Sequence, residues 1–297
     1  MLACATIRAE NGARSRQSKS AVQQKHPMSV KKFFRITIAS ILIALFVGAT
    51  FYVPEARGEQ QKELTAEQIV ETLILLSGTR PGLAQVRKTG LENGRMSRMT
   101  DDGRPEEVRY QLRFIHGDKI EKDKIRLDQK TPQAEYSLIK NEDRLFGIIN
   151  GSAFTPRADT AAEFLSQQTH SIEALLRYKE NDSKIASAGK DKQQGIDLYV
   201  IDLTDKANHK TRYFISAKFF RVLWLAYEET PPEQTTPVKY MKRFYDYRYA
   251  QSTLVPYRSV LTVDGKQTLE TRILTVTYGV KMEDATFQSP DATSGMD

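Results

Sequence analysis

The hydrophobic pattern of the chain changes period more than once after residue 63. From 64 to 77 (LTAEQIVETLILLS) apolar residues recur at helical spacing, with Ile69, Leu73 and Leu76 as one stripe that Val70 and Ile74 widen. Thr65 and Gln68 fit a capping box, Leu64 can staple onto Ile69, and Gly78 stands where the helix must end. The pattern predicts a short amphipathic helix that buries its stripe as a lid or plug. Beyond 83 the period falls to two. Val108, Tyr110, Leu112 and Phe114 alternate with Arg109, Gln111 and Arg113, which predicts a half-buried strand. Further strands are predicted at 124–129, 134–140 and 145–150, with weaker pieces at 85–91 and 95–99 broken at Asn93-Gly94.

Pro156 interrupts this run, and 160–168 and 171–179 read as two helical pieces near Asp or Ser caps. Strands resume at 184–189, 196–203, 210–217 and 221–227. Three β-branched and aromatic runs then follow at 238–248, 257–263 and 268–278, the last two joined by Asp264-Gly265. An Asp-Gly between alternating apolar runs is a strong hairpin signal, because the turn needs positive φ at its centre. These runs predict a three-strand antiparallel meander, around which the rest must be organised, since a one-faced meander cannot stand alone. No βαβ alternation occurs, so the fold class is α+β with an antiparallel sheet. Residues 222–227 are apolar on both parities, which requires the sheet to be curved around a core or covered on both sides.

Charge changes the picture only once it is located. The formal charge is +7 over 297 residues. Nine Lys and Arg against two Asp and Glu precede Glu59 and hold the whole surplus; 35 bases and 35 acids follow. A neutral remainder gives no reason to expect phosphate binding, so no nucleic-acid partner is predicted. The basic segment is a leader: Lys31, Lys32 and Arg35 precede the apolar run 36–53, and Ala56-Arg57-Gly58 follows. We read 1–27 as a disordered or mis-assigned start, 28–58 as a secretory signal cut after Gly58 or Ala56, and 59–63 as a linker. Residues 64–290 then form one domain and 291–297 a disordered tail. The alternative is an uncleaved inner-membrane anchor, since the apolar run is nearly long enough to span a bilayer. Cys4 is the single cysteine, so the exported part has neither disulfides nor a thiol to carry a lipid.

Candidate chemistry is sparse. His116, His170 and His209 have no second histidine at ligand spacing, and Asp202, Asp205 and His209 read as a turn rather than a metal site. Asp101-Asp102 and Glu228-Glu229 read as solvated turns, and nucleophile-elbow, phosphate-loop and dinucleotide motifs are missing. The run YMKRFYDYRY at 240–249 could stack bases, but as an exposed-and-paired strand it explains itself. No enzyme, metal or cofactor is predicted.

Three segments carry a family resemblance: LTAEQIVE at 64–71, DYR to VPYR at 246–258, and ATFQSP at 285–290. In these segments and in the order of its elements, 63–290 resembles the periplasmic lipoprotein-carrier superfamily, the outer-membrane lipoprotein-sorting proteins and their stress-sensing relatives. The resemblance implies a single strongly bent antiparallel sheet, an unclosed barrel of about ten or eleven strands. Helices would lie at its concave face over an apolar cavity. It implies a periplasmic carrier for lipid or for the acyl chains of lipoproteins. The alternative is an envelope regulatory or scaffolding module that binds a membrane protein through the same sheet. The predicted cavity residues are Ile69, Leu73, Leu76, Val108, Tyr110, Leu112, Phe114, Leu138, Leu198, Val200 and Trp224.

Overall fold

The computed structural model describes residues 63–100, 103–131, 134–232 and 234–290. Residues 1–62 and 291–297, on which the expected leader, tail and most of the expected linker fall, lie outside them. Among the described residues there are thirteen strands in one antiparallel sheet, more than the ten or eleven expected. Helices α1 (Ala66–Ser77) and α2 (Arg80–Val86) come first. Strands β1 (Thr89–Met99), β2 (Pro105–Ile115), β3 (Lys124–Lys130), β4 (Glu135–Asn141), β5 (Arg144–Ile149) and β6 (Ser152–Phe154) form one meander. Helices α3 (Ala158–Thr169) and α4 (Ile172–Leu176) follow. Strands β7 (Lys184–Gln193), β8 (Ile196–Thr204), β9 (Lys210–Ser216), β10 (Val222–Glu229), β11 (Val238–Ala250), β12 (Thr253–Val263) and β13 (Lys266–Tyr278) form the second meander.

The spatial order runs from β6 down to β1, then β13 down to β7. Pairing of β1 with β13 therefore welds the two meanders, and β6 and β7 are the outermost strands among the described residues. The expected β11–β13 meander is present, with Asp264 and Gly265 at positive φ in its second hairpin. Two weak sequence pieces were misassigned. Gln85 belongs to α2, and Asn93-Gly94 is not a break but part of the continuous strand β1, opposite a bulge at Leu274 of β13.

The connection between its edges favours a bent sheet. Twelve inter-strand steps of about 4.8 Å would put the edges of a flat sheet about 58 Å apart. Residues 155–183 must join those edges, and much of their reach is spent on α3 and α4, which rise only about 1.5 Å per residue. Helix α1 also touches both β7 and β12, five places apart in the sheet. Bending puts the helices on the concave face. Bulges at Ser187/Gly189, Val222/Trp224 and Leu261/Thr262, with Asp246 skipped in the β11–β12 register, let individual strands turn.

Glycine lets β1 lie close to both of its neighbours. A Cβ at Gly94 would lie 2.4 Å from the Tyr110 ring and 2.5 Å from the Arg272 carbonyl oxygen. The ring could swing away, but the paired backbone of β13 could not. We expect Gly94→Ala to destabilise by about 1–3 kcal/mol, as overpacking does. Thermal unfolding followed by circular dichroism should show the midpoint fall by several degrees.

Candidate functional site

The concave face is covered by helices of very different tenure. Helix α1 starts with the expected capping box, Thr65 and Gln68 exchanging hydrogen bonds of 2.9 and 3.2 Å. Ile69, Val70, Leu73 and Ile74 are buried in one cluster with Ile201, Leu203, Tyr213, Ile215 and Leu225 from β8–β10. Glu71 then fastens the helix. It accepts hydrogen bonds from Arg80 at 2.8 Å and from the Tyr178 hydroxyl at 2.9 Å, and pairs with Lys179 at 2.8 Å. Burial alone would raise the Glu71 pKa, but these donors outweigh it and hold it below its ordinary value. Arg80 also bridges to Glu180 at 2.8 Å.

Helix α3 covers the other half with one anchor. Phe164 is its buried residue, set among Phe114, Ile125, Leu138, Ala250, Val255 and Tyr278. Its N-cap, Arg157, makes no side-chain cap bond, and Leu165 faces solvent. At the other end Ser166 Oγ donates to Glu229 Oε2 at 2.5 Å. Beneath the C-terminal turn is a crevice of about 10 Å³ between Gln167, His170, Tyr227, Lys242, Ser259, Leu261, Leu269 and Thr271. That is room for about one water. Two roomier depressions of about 650 and 750 Å³ open toward solvent near the ends of β8–β11.

Strand register separates the predicted cavity residues into groups. Val108, Tyr110, Leu112 and Phe114 share the concave face of β2, where Leu112 pairs with Leu127 and Leu127 with Leu138. Ile69 and Leu73 are buried apart from these, where α1 packs on the concave side of β8–β10. Leu76 is not: it is 43% exposed. At about 100° of turn per residue, position 76 lies about 90° from the centre of the buried arc, which runs through Ala66, Ile69, Val70, Leu73, Ile74 and Ser77. Leu198, Val200 and Trp224 point the other way. Val200 pairs with Phe214 and Phe214 with Trp224, while the alternate positions Ile201, Tyr213 and Leu225 carry α1. Those strands are apolar on both parities, so the sequence offered no sign of which face was inner. On the outer face Phe214 stacks on Trp224 at 4.8 Å, under the Arg243 guanidinium.

Ionisable groups line part of the concave face, which the sequence reading missed. Arg87, after α2, lies 2.9 Å from Glu173 of α4. Arg87 Nε and Glu173 Oε2 nevertheless lack an aligned hydrogen bond, so this contact is one of charge. Asp123 sits 2.8 Å from both His116 Nδ1 and Arg177 Nη1, and Arg177 donates to the Gly117 carbonyl at 2.8 Å. Burial would raise the Asp123 pKa; the His116 and Arg177 contacts outweigh that and lower it. Each carboxylate here has its own arginine, and the set ties α2 and α4 to the turn after β2. Its members are scattered over 87–177, and only the fold assembles them.

His170 is buried, stacked on Tyr227 at 3.7 Å, with its nitrogens 2.6 Å from Thr211 Oγ1 and 2.8 Å from Glu229 Oε1. Glu229 was expected to be a solvated turn residue; it is half-buried between His170 and Ser166. Ser166 bonds to that carboxylate and not to the imidazole, which is not the arrangement of an activated nucleophile. Asp205 and His209 pair with each other at 2.7 Å, and Asp202 pairs with Arg212 instead. Among the described residues no three His, Cys, Asp or Glu side chains are grouped as a metal site would need.

The whole arrangement has the fold of solved LolA-superfamily and outer-membrane lipoprotein-sorting domains. A LolA superfamily protein from Nitrosomonas europaea aligns with a TM-score of 0.52 at 11% identity, over 76% of this chain and 98% of its own. A domain named for outer membrane lipoprotein sorting, from Vibrio parahaemolyticus, aligns at 0.51 and 11%, over 74% and 94%. A DUF1329 family protein from Desulfovibrio piger aligns at 0.50 and 12%, over 74% and 97%. No protein-family model and no curated protein sequence matches the chain.

Asp123→Asn would leave Arg177 uncompensated at a buried site, so we expect a loss of about 3–5 kcal/mol. The pH dependence has a definite sign. A carboxylate with a lowered folded pKa contributes stability above its unfolded value, near 4, and loses it as pH falls through the folded value. Urea titrations from neutral to acidic pH should show wild type weakening below about pH 4, and the gap to Asp123→Asn narrowing there.

Proposed function

We propose that this domain binds acyl chains, of a lipid or of a lipid-modified protein, in the periplasm after export on the leader at 28–58. The observation that carries the reading is the light seating of α3: Phe164 is its one buried side chain, packed in the concave-face cluster of Phe114, Ile125, Leu138, Val255 and Tyr278. Burying one such side chain is worth about 1.5–3 kcal/mol, and each buried methylene about 0.8 kcal/mol. Three or four methylenes entering the pocket therefore offset the loss of Phe164, and a longer chain exceeds it.

The same arithmetic assigns a different role to α1. Its four buried aliphatic side chains are together worth roughly 6–12 kcal/mol, so it belongs to the core rather than to the exchangeable cover. The sequence placed the plug at 64–77; the energetics move it to α3. The shared fold with lipoprotein-sorting domains supports a carrier or binding role. The charged network argues against catalysis, because its carboxylates are spent on neighbouring arginines.

The test is saturable binding of a neutral apolar fluorophore, N-phenyl-1-naphthylamine, to the exported protein freed of lipid by organic solvent. Phe164→Ala should tighten binding by about tenfold, since the plug no longer competes. Leu138→Asn, a polar group on the pocket floor, should weaken it by about tenfold or more. Lack of saturable binding in wild type and Phe164→Ala alike would defeat the proposal. Stoichiometric capture of one membrane protein, with no probe binding, would favour the regulatory module.

A further inference from the structure

The depression of about 650 Å³ at one end of β8–β11 gathers exposed apolar side chains that the fold does not use. Ile196 at the start of β8, Phe219 in the β9–β10 turn and Tyr245 of β11 line it, and they are 43%, 50% and 39% exposed. Leu223, Phe244 and Tyr247 complete its apolar surface. Its volume is that of an ordinary small-molecule site, and its walls are of the usual kind: mainly apolar and aromatic, with a few charges.

Two carboxylates and two bases border the same space, and they are not equivalent. Asp246 accepts from Arg248 at 2.6 and 3.0 Å, and Asp197 pairs with Lys192 at 3.3 Å. Lys218 and Arg221 have no carboxylate: among the described residues neither side chain makes a hydrogen bond or an ion pair. What holds them is aromatic. The Lys218 ammonium lies 5.1 Å from the centre of the Phe219 ring. The Arg221 guanidinium lies 4.6 Å from that centre and 5.5 Å from the centre of Tyr247. A guanidinium stacked on a ring keeps its in-plane N–H donors, so Arg221 presents a charged fork on an apolar wall. With Lys192 and Arg248 counted, four bases face two acids, and the local field favours an anion.

We propose that this depression binds a small aromatic carboxylate, its ring against Phe219 and Tyr245 and its carboxylate on the Arg221 fork. Two features select that class. The wall is largely aromatic, and a flat rigid ring covers it with less loss of freedom than a flexible alkyl chain. The planar fork matches a carboxylate with two parallel hydrogen bonds. The site shares no residue with the Phe164 cluster, so it stands apart from the acyl-binding reading.

Isothermal titration calorimetry at neutral pH tests this, with 2-naphthoate and with 2-naphthalenemethanol, which has the same rings and no charge. We expect saturable one-to-one binding, with the carboxylate held about tenfold or more tighter than the alcohol. Arg221→Gln should abolish that preference. Arg221→Lys, which keeps the charge and loses the fork, should restore only part of it. Phe219→Ser, at a half-exposed position, should weaken both compounds alike by about tenfold. Equal binding of acid and alcohol, or a preference that survives Arg221→Gln, overturns the carboxylate assignment. No saturable binding, or binding that Phe219→Ser leaves unchanged, overturns the site. Should Arg221→Gln fail to fold, the comparison of acid with alcohol in the wild type and the Phe219→Ser result still decide. Each of these failures leaves acyl binding in the Phe164 cluster standing.

Discussion

Burial of Ile69, Val70, Leu73 and Ile74 against β8–β10 is the contact on which the fold depends. A thirteen-strand sheet that does not close on itself keeps two edges and a concave apolar surface that water would otherwise wet. One helix laid into half of that surface gives the bend something to wrap around. Glu71, Arg80, Tyr178 and Lys179 then fasten it at its solvent side. Because α1 is so deeply committed, the other half of the concavity is covered by whatever lies in the connection between the edges.

That connection is α3 and α4, and the two differ for physical reasons. Helix α4 buries Ala174, Leu175 and Leu176 and contributes Glu173, with Arg177 just beyond it, to the ion-pair network. Helix α3 buries Phe164 and leaves Leu165 in solvent. So a segment needed simply to cross the mouth of the sheet includes a part that is weakly held. In a carrier the weak part is useful, since binding and release both require an occupied hollow to be nearly isoenergetic with an empty one.

The sequence made much of this legible wherever one face of an element differs from the other. The alternation of Val108, Tyr110, Leu112 and Phe114 placed β2 correctly, and Asp264-Gly265 placed the last hairpin. Thr65 and Gln68 placed the start of α1. Legibility ended where both faces are apolar: at Leu198, Val200 and Trp224 either parity satisfies the pattern, and the choice is made by α1 docking. Leu76 failed because a wide stripe does not show its own centre. The polar groups of the concave face, Glu92, Lys242 and the Arg87–Glu173 pair, carry no local signal, because their partners lie on other strands and helices.

Native-state hydrogen exchange compared between the two helices tests the central claim most directly. If α1 is core and α3 a detachable cover, the amides of 160–169 should exchange by local opening, about tenfold or more faster than those of 69–77, which open only with the whole domain. Filling the hollow should speed exchange in α3 further while leaving α1 unchanged. Equal protection of both helices, lost together in one global transition, would contradict the account.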